Sequence, residues 1–362
     1  MLLAFGEIMM RVAPPGFLGL RQALPGTVEA TFGGGEANVC ASLALLGRPT
    51  RYLTALPKHA VAESLVGTLR GLGIDTDHIL RRDSGRLGIY FLEPGANQRS
   101  SKVIYDRAAS AVSLAAPEEY DFDAALEGVG RVHVTGITPA LSENAFRSTL
   151  ELVRMAGQQG ATVSCDLNFR KKLWRWRPDT EPQTLARQCM SEILPLVDLV
   201  IGNEEDADKV LGIRAEGTSV EEGRIEAAAY EQVARHIHQR FANVSRVAIT
   251  LRESISASHN NWGAMLLDGP SDRALLAPLD EQGNYRPYEI RNIVDRVGAG
   301  DAFAAGLIYA LESEEYAEPE MAVRFATAAG CLKHSIPGDL NYASRDEIAS
   351  LAAGRASGRV QR

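Results

Sequence analysis

Several features of membrane proteins and nucleic-acid-binding proteins are missing from this sequence. Its 362 residues carry a net charge of −8, and the longest basic run is Arg170-Lys171-Lys172, which argues against a nucleic-acid partner. No apolar stretch approaches about 18 residues, so no membrane span is predicted. The apolar run Met1–Met10 is interrupted by Glu7 and has neither a basic segment nor a cleavage site, so we interpret it as a first core strand. A cytoplasmic protein is therefore expected.

Closely spaced cysteines and the common nucleotide-binding motifs are also missing. The cysteines lie far apart in apolar surroundings, which predicts reduced core residues rather than a redox or metal site: Cys40, Cys165, Cys189 and Cys331. The absence of any Gly-Lys dipeptide excludes a Walker A loop. A dinucleotide fingerprint beginning at Gly33 would need glycine or alanine where Asn38 stands. This weakens the hypothesis of a dehydrogenase without excluding it.

Strand and helix patterns alternate through most of the chain, which predicts an α/β fold with a mostly parallel, doubly wound sheet. The predicted strands are Leu2–Ile8, Arg51–Leu56, Arg131–Thr135, Thr162–Leu167, Asp198–Ile201, Arg246–Leu251, Ala264–Leu267 and Tyr288–Val294. The predicted helices are Glu36–Leu46, Ala60–Leu72, Ser142–Gln159, Thr184–Leu194, Glu204–Leu211, Glu221–Phe241, one beginning near Asp301, Glu320–Lys333 and Arg345–Ala353.

Two segments depart from this alternation. Residues 9–32 contain too many prolines and glycines for a helix, so short strands or an extended arm are expected there. The runs Gly88–Glu93 and Lys102–Asp106 alternate in polarity on either side of a loop that contains Pro-Gly, and they predict a β-hairpin.

The most informative stretch is the glycine turn Gly298-Ala299-Gly300-Asp301. The β-rich run Tyr288–Val294 precedes it, and a helix with an apolar stripe follows it. Such a turn leaves the first N–H groups of the helix unpaired, which suits a phosphate or a developing oxyanion. A carboxylate at Asp301 would repel a phosphate unless it has another task, such as accepting a proton from an attacking hydroxyl. An ordinary capped helix is the alternative.

Two further clusters point to a ligand. Gly33-Gly34-Gly35 opens a helix and lets a ligand approach the backbone closely. The spacing of Asp166, Asn168 and Arg170 predicts that all three lie on one side of a strand as it leaves the carboxyl edge of the sheet. Open α/β folds bind ligands at that edge.

These motifs resemble the signature set of the ribokinase-like (PfkB) carbohydrate kinases over nearly the whole chain. The set consists of Gly33-Gly34-Gly35-Glu36-Ala37-Asn38, Asn203-Glu204-Glu205-Asp206 and Asp295-x-x-Gly298-Ala299-Gly300-Asp301. Within the family, four stretches are similar to 2-keto-3-deoxygluconate kinases: Phe5–Ile8, Glu36–Asn38, Tyr105–Ala108 and Asp166–Trp174.

The resemblance implies a ribokinase-like three-layer α/β/α sandwich with a small β-sheet lid. Residues 1–8, 33–86 and 108–362 would form the catalytic core, and residues 9–32 and 87–107 the lid. Because a small sheet has open edges and one apolar face, we expect a homodimer through the lid or a higher homo-oligomer.

The resemblance also implies an ATP-dependent kinase that phosphorylates 2-keto-3-deoxygluconate to its 6-phosphate. Asp301 would be the base, and Gly298, Ala299 and Gly300 would form the anion hole. The sugar would bind at Gly34, Gly35, Asn38, Tyr90, Tyr105, Arg107, Asp166, Asn168, Arg170 and Asp301. The nucleotide would contact Asn168, Asn203, Thr250, Arg252, Gly298 and Gly300. Asn203 and Asp206 would hold Mg²⁺ through water, and a K⁺ site or the adenine pocket would lie near residues 333–339.

Two arginines favour a sugar acid over a neutral sugar. Guanidinium binds a carboxylate bidentately, and a neutral pentose would not need both Arg107 and Arg170. Tyr90 and Tyr105 would project from the hairpin and close over the substrate with their hydroxyls inward. Surface salt bridges and an ordinary strand face are the alternatives.

Two departures from the family pattern keep other functions open. Asp206 stands where the family has glutamate, and the polar stretch Leu251–Asn261 is longer than the usual turn. We expect that stretch to form a loop beside the nucleotide, with Arg252 at a phosphate or the ribose. The alternatives are a kinase of a neutral sugar, such as fructose or ribose, or of a nucleoside, and a non-catalytic sugar-binding or regulatory protein on the same fold.

Overall fold

Buried apolar runs form the strands of the computed structural model, which describes residues 1–213 and 227–355. The strands are β1 Leu2–Phe5, β2 Met9–Ala13, β3 Glu29–Gly33, β4 Thr50–Leu53, β5 Ala55–Pro57, β6 Leu80–Arg82, β7 Ile89–Glu93, β8 Lys102–Asp106, β9 Arg131–Thr135, β10 Thr162–Asp166, β11 Leu199–Asn203, β12 Arg246–Ser256, β13 His259–Asp268, β14 Arg273–Ala277 and β15 Tyr288–Ile290. The main sheet has the order β14-β13-β12-β11-β10-β9-β1-β4, and β15 pairs with β13. The pairings from β12 to β4 are parallel and the others antiparallel, which confirms the predicted sheet.

Helices cover both faces of this sheet. They are α1 Leu20–Ala23, α2 Gly35–Leu45, α3 Ala60–Gly71, α4 Ala111–Leu114, α5 Phe122–Leu126, α6 Glu143–Gln158, α7 Pro182–Ile193, α8 Glu204–Asp206, α9 Ala227–Arg240, α10 Ala299–Leu311, α11 Pro319–Lys333 and α12 Arg345–Ala352. Alternate residues of β1 point to opposite faces of the sheet and belong to two separate apolar clusters. Leu3 and Phe5 belong to the first cluster, and Leu2 and Ala4 belong to the second. The first cluster contains residues of α4 to α7 and α9, and the second contains residues of α2, α3 and α10 to α12. The fold is the expected three-layer sandwich.

A second sheet of four strands has the order β3-β2-β7-β8. The predicted hairpin is confirmed as the antiparallel pair β7 and β8. Its apolar side packs Met9, Ala13, Tyr90 and Leu92 together, with Val297 of the core against them. This small sheet therefore rests on the segment that leads into α10.

The polar stretch after Thr250 is a strand hairpin, so the predicted loop is wrong. Strand β12 continues to Ser256 and returns as β13 from His259, and Asn261 donates to Glu253 across the pair at 2.7 Å. The polar composition reflects exposure, since Arg252 and Ser254 are exposed on β12.

Two other predicted elements differ from the structure. The run Tyr288–Val294 is a strand only to Ile290, and the Val294 N–H donates instead to the backbone oxygen of His334, the residue after α11, at 2.8 Å. The predicted helix Glu204–Leu211 is a short α-helical turn followed by a π-helical turn. The first part of the predicted helix Glu221–Phe241, up to residue 226, lies outside the described residues. Its remaining part is confirmed as α9. In the part of the chain that the structure describes, no helix has the length and apolar character to cross a bilayer.

Candidate active site

A cavity of about 340 Å³ opens at the carboxyl edge of the parallel strands, between the main sheet and the small sheet. Every residue predicted at the sugar, the nucleotide or the metal lines it: Gly34, Gly35, Asn38, Tyr90, Tyr105, Arg107, Asp166, Asn168, Arg170, Asn203, Asp206, Thr250, Arg252, Gly298, Ala299, Gly300 and Asp301. Their individual roles stay predictions.

The turn before α10 is built around Gly298. This residue has φ 84° and ψ 0°, and a Cβ there would lie 2.1 Å from the backbone oxygen of Asp339. Only glycine satisfies both conditions. The three N–H groups after Gly298 precede the first helical hydrogen bond, which Ala302 donates to Gly298 at 2.8 Å. These groups have no partner within the helix and can bind an anion.

Asp301 lies in the first turn of α10, and the pKa of its carboxyl group is raised. Its Oδ2 accepts a hydrogen bond from the Asn38 amide at 2.7 Å. Burial raises the pKa of Asp301 to about 6; Asp339 adds to the rise, whereas Asn38, Arg170 and Lys333 oppose it. A base of this kind is ionised at neutral pH and still accepts a proton readily.

The predicted sugar-binding glycines are held next to this base. The Asn38 Oδ1 accepts a hydrogen bond from the Gly34 N–H at 3.2 Å, while the Asn38 amide nitrogen donates to Asp301. A Cβ at Gly34 would lie 2.2 Å from the Glu7 backbone oxygen, so the close approach of two chain segments requires glycine here. Asn38 thus joins the glycine segment to the start of α10.

Asp166, Asn168 and Arg170 line the cavity for a different reason from the one predicted. Strand β10 ends at Asp166, and Asn168 has φ 34°, so a turn rather than the strand period brings the three side chains together. The Asp166 Oδ1 accepts from the Asn168 N–H at 3.2 Å. Burial raises the pKa of Asp166 well above its usual range, and Asp206 and Asp301 add to the rise. Among the described residues the buried Asn168 Oδ1 has no partner, which leaves it available to a ligand.

Asp206 and Asn203 hold two segments of backbone together. The Asp206 carboxylate accepts from the Phe169 N–H at 2.9 Å and from the Asn203 N–H at 3.1 Å. In return the Asn203 Oδ1 accepts from the Glu205 and Asp206 N–H groups. The shorter side chain at Asp206 therefore fits a capping box, and it ties the turn after β10 to the end of β11.

The two arginines differ in what they contact. Arg107 is buried, forms an ion pair with Glu7 and lies 5.4 Å from the centre of the Tyr105 ring. Arg170 is exposed and donates to the Phe169 backbone oxygen at 3.1 Å, and in the described structure no carboxylate is bonded to it. Arg170 therefore has no ion-pair partner among the described residues, although its charge opposes the rise in the pKa values of Asp166, Asp206 and Asp301.

Thr250 and Arg252, which were predicted to contact the nucleotide, line the cavity from β12. Thr250 is buried and donates to the Gly202 backbone oxygen at 3.4 Å. Arg252, two residues further along the same strand, is exposed. Arg252 is therefore placed by a strand instead of by the loop that we predicted.

Neither Glu7 nor Arg11 was assigned to a site from the sequence, and Arg11 was not connected with Asp295 of the late motif or with Asp339. Arg11 is paired with both Asp295 and Asp339, and the Tyr90 hydroxyl donates to Asp339 at 2.5 Å. The predicted inward hydroxyl of Tyr90 is thus engaged by the protein, while its ring lines the cavity. A charge within the apolar strand pattern around Glu7 was the one local signal.

The sandwich fold, the helix start that can bind phosphate and the carboxylate base in one cavity define an enzyme of the phosphoryl-transfer class. Residues 1–342 match the pfkB family of carbohydrate kinases, and the chain belongs to this family.

Relatives extend over nearly the whole chain. A 2-dehydro-3-deoxygalactonokinase of Haloferax volcanii is 30% identical over 99% of this chain and 98% of its own. The crystal structure of 2-dehydro-3-deoxygluconokinase from Thermotoga maritima is 41% identical, covers 98% of both chains and superposes with a TM-score of 0.87. A fructokinase of Xylella fastidiosa with bound ATP is 20% identical over 98% of this chain and 99% of its own, with a TM-score of 0.72, and shares the fold.

Proposed function

We propose that this carbohydrate kinase transfers the γ-phosphoryl group of ATP to the 6-hydroxyl of 2-keto-3-deoxygluconate. The observation that carries the proposal is Arg170, an unpaired guanidinium that lines the same cavity as the base Asp301. A sugar acid brings a carboxylate for that guanidinium and a terminal hydroxyl for that base. The names of the Haloferax and Thermotoga relatives, both kinases of 2-keto-3-deoxy sugar acids, support this acceptor.

In the proposed reaction Asp301 takes the proton of the 6-hydroxyl as its oxygen attacks the γ-phosphorus. Asn38 holds the Asp301 carboxylate through the 2.7 Å hydrogen bond, so the base meets the substrate in one orientation. The N–H groups after Gly298 stabilise the charge that develops on the transferred phosphoryl oxygens. Arg170 and Arg107 bind the acid end of the sugar.

Mg²⁺ would be held at Asn203 and Asp206 through water. Their donors are oxygens, which Mg²⁺ prefers, and each Asp206 oxygen accepts one backbone N–H and retains a lone pair. No cluster of three or more His, Cys, Asp or Glu suited to a metal occurs among residues 1–213 and 227–355, which fits an ion held mainly by phosphates. When bound, Mg²⁺ neutralises phosphate charge.

A panel of acceptors in a coupled ADP-release assay tests the proposal. The panel contains 2-keto-3-deoxygluconate, its galactonate epimer, fructose, ribose and adenosine. We expect kcat/KM for the two sugar acids to exceed that for the neutral sugars by about 100-fold or more, because one unmatched charged contact costs about 3 kcal/mol. A neutral sugar or nucleoside as the best acceptor would overturn the proposal, and no ADP release with any acceptor would favour the non-catalytic alternative.

We also propose a homodimer through the outer strand of the small sheet. Strand β8 is an edge strand, and Ile104 and Tyr105 on it are 55% and 43% exposed. Exposed apolar residues on an open edge favour pairing with a second copy. Sedimentation equilibrium at micromolar concentration should give twice the mass of the chain, and a monomer would contradict this.

The residues near 333–339 do not fit a monovalent cation. Arg11 is bonded to the Asp295 and Asp339 carboxylates there, and the Lys333 ammonium donates to the Ile336 backbone oxygen. Turnover should therefore be equal in K⁺ and Na⁺ salts.

A cytoplasmic location is proposed because the cosubstrate is ATP and the four cysteines are free thiols.

A further inference from the structure

A buried ionic network links the small sheet to the core. Arg11 of β2 donates to Asp295 at 2.5 Å and to Asp339 at 2.7 Å, and none of the three side chains is more than 8% exposed. Tyr90 of β7, the neighbour of Arg11 in the register of the two strands, donates to the same Asp339 oxygen at 2.5 Å. Two side chains of the small sheet thus hold two carboxylates of the core.

Both carboxylates belong to segments that shape the anion-binding turn. Asp295 accepts from the Val297 N–H at 3.0 Å and from the Gly338 N–H at 3.1 Å. The backbone oxygen of Asp339 packs so closely against Gly298 that a Cβ would lie 2.1 Å from it. A displacement of either carboxylate therefore displaces the N–H groups at the start of α10.

Arg11 also balances charge beside the phosphate site. Lys333 and Arg296 are also close, but the Lys333 ammonium donates to the Ile336 backbone oxygen at 2.9 Å and the Arg296 guanidinium donates to the Ser256 and Ala257 backbone oxygens. Without the Arg11 guanidinium, two buried carboxylates would face a site that receives phosphate. Unpaired buried charges of this kind are strongly unfavourable, so the segments that carry them would move.

We propose that Arg11 is a positioning residue for phosphoryl transfer. Through Asp295 and Asp339 it fixes the position of the Gly298 turn while the small sheet lies closed on the core. Arg11 itself contacts neither substrate. Since the small sheet also contributes Tyr105 to the sugar end, an acceptor that holds the sheet closed strengthens ATP binding, and ATP strengthens acceptor binding by the same factor. This inference rests on the proposed kinase reaction.

The test measures this coupling directly in the intact enzyme. ATP affinity is determined by titration calorimetry with and without the acceptor analogue that lacks the 6-hydroxyl, so no turnover occurs. In the wild type the analogue should tighten ATP binding by about 5-fold to 150-fold, and in Arg11→Met by about twofold or less. The kcat of Arg11→Met should fall about 100-fold, as expected when reacting groups are misplaced by about 1 Å.

Arg86→Met is the matched control. Arg86 forms a two-pronged ion pair with Asp106 of β8 at 2.6 and 2.7 Å, but these side chains are 40% and 51% exposed, and neither is bonded to Asp295 or Asp339 in the described structure. This variant should keep the wild-type coupling and kcat. Arg11→Lys keeps the charge but cannot bond two carboxylates with a planar fork, so it should show intermediate coupling. It replaces Arg11→Met if circular dichroism shows that Arg11→Met does not fold.

A folded Arg11→Met enzyme with wild-type coupling overturns the proposal, even if its melting temperature is lower, because that result assigns Arg11 a role in stability alone. Absence of coupling in the wild type overturns it as well. Wild-type turnover of the acceptor in the same assay separates the two levels of inference. If that acceptor is not phosphorylated, the acceptor proposal fails, and the coupling experiment is carried out with the best sugar of the panel.

Discussion

Asp301→Asn should raise the stability of the fold at alkaline pH while it removes turnover. Burial raises the pKa of Asp301 from its ordinary value of 3.8 to about 6, so the folded protein binds this proton more tightly than the unfolded chain does. Between these two pH values the native state holds more protons, and stability falls as the pH rises. Above about pH 6 the full cost of the buried charge is present, and asparagine removes it.

The size of the gain follows from the two pKa values. Their difference, from 3.8 to about 6, at about 1.4 kcal/mol for each tenfold change, sets an upper limit of about 3 kcal/mol. Asp301 still faces the cavity in part, and asparagine loses the charged character of the bond from Asn38, so we expect about 1–2 kcal/mol. The melting temperature should rise by about 1–3 °C at alkaline pH and change little near pH 4.

Turnover should change in the opposite direction. A positioned base contributes about 10²–10⁴ to the rate, so Asp301→Asn should lower kcat by about 1,000-fold in the ADP-release assay. In the wild type, kcat/KM should rise tenfold for each pH unit below about 6 and level off above it, because only the ionised carboxylate accepts the proton.

Asp75→Asn is the matched control, because the pKa of Asp75 is lowered whereas that of Asp301 is raised. Although burial acts against it, hydrogen bonds from the Asp77 N–H and the Arg51 guanidinium lower the pKa of Asp75. The same substitution there should reduce stability at neutral pH and leave turnover unchanged. The burial argument fails if Asp301→Asn is less stable than the wild type at alkaline pH, and the assignment of the base fails if about a tenth or more of kcat survives.

Three other positions test the rest of the site. Arg170→Ala should raise the KM for a sugar acid by about 10-fold to 100-fold with little change for ATP, and Arg107→Ala should act in the same direction, since charged hydrogen bonds contribute about 1.5–3 kcal/mol; equal effects on both substrates would refute the carboxylate role. Asp206→Ala should destabilise the fold by about 1–3 kcal/mol, because it leaves two backbone N–H groups unpaired, and an unchanged melting temperature would contradict this. Gly298→Ala should lower both stability and turnover because of its φ of 84°, whereas Gly157→Ala on the open face of α6 should add about 0.5–1 kcal/mol. A Gly298→Ala protein as stable as the wild type would show that the turn tolerates a side chain.

Local features were the ones that the sequence predicted well. The glycine turn at Gly298 needs a positive φ and a following helix, and both requirements are visible within a few residues. The cluster Asp166 to Arg170 was found although its stated cause was wrong, because any chain leaving β10 at the carboxyl edge enters the cavity.

Contacts between distant segments could not be predicted in this way. Arg11 lies 284 residues from Asp295 and 328 residues from Asp339, and no periodicity connects them. The hairpin after Thr250 was missed for another reason. Arg252 and Ser254 are exposed on the last part of β12, so its polarity is that of a loop.

The distribution of charge in the cavity reconciles an acidic chain with two anionic substrates. The carboxylates of the cavity are each held by a neighbouring donor, Asp301 by the Asn38 amide, Asp166 by one backbone N–H group and Asp206 by two. Arg11 neutralises the two remaining acids near the turn. The N–H groups after Gly298 and the free guanidinium of Arg170 then supply the local positive potential, and a net charge of −8 on the whole molecule does not oppose binding.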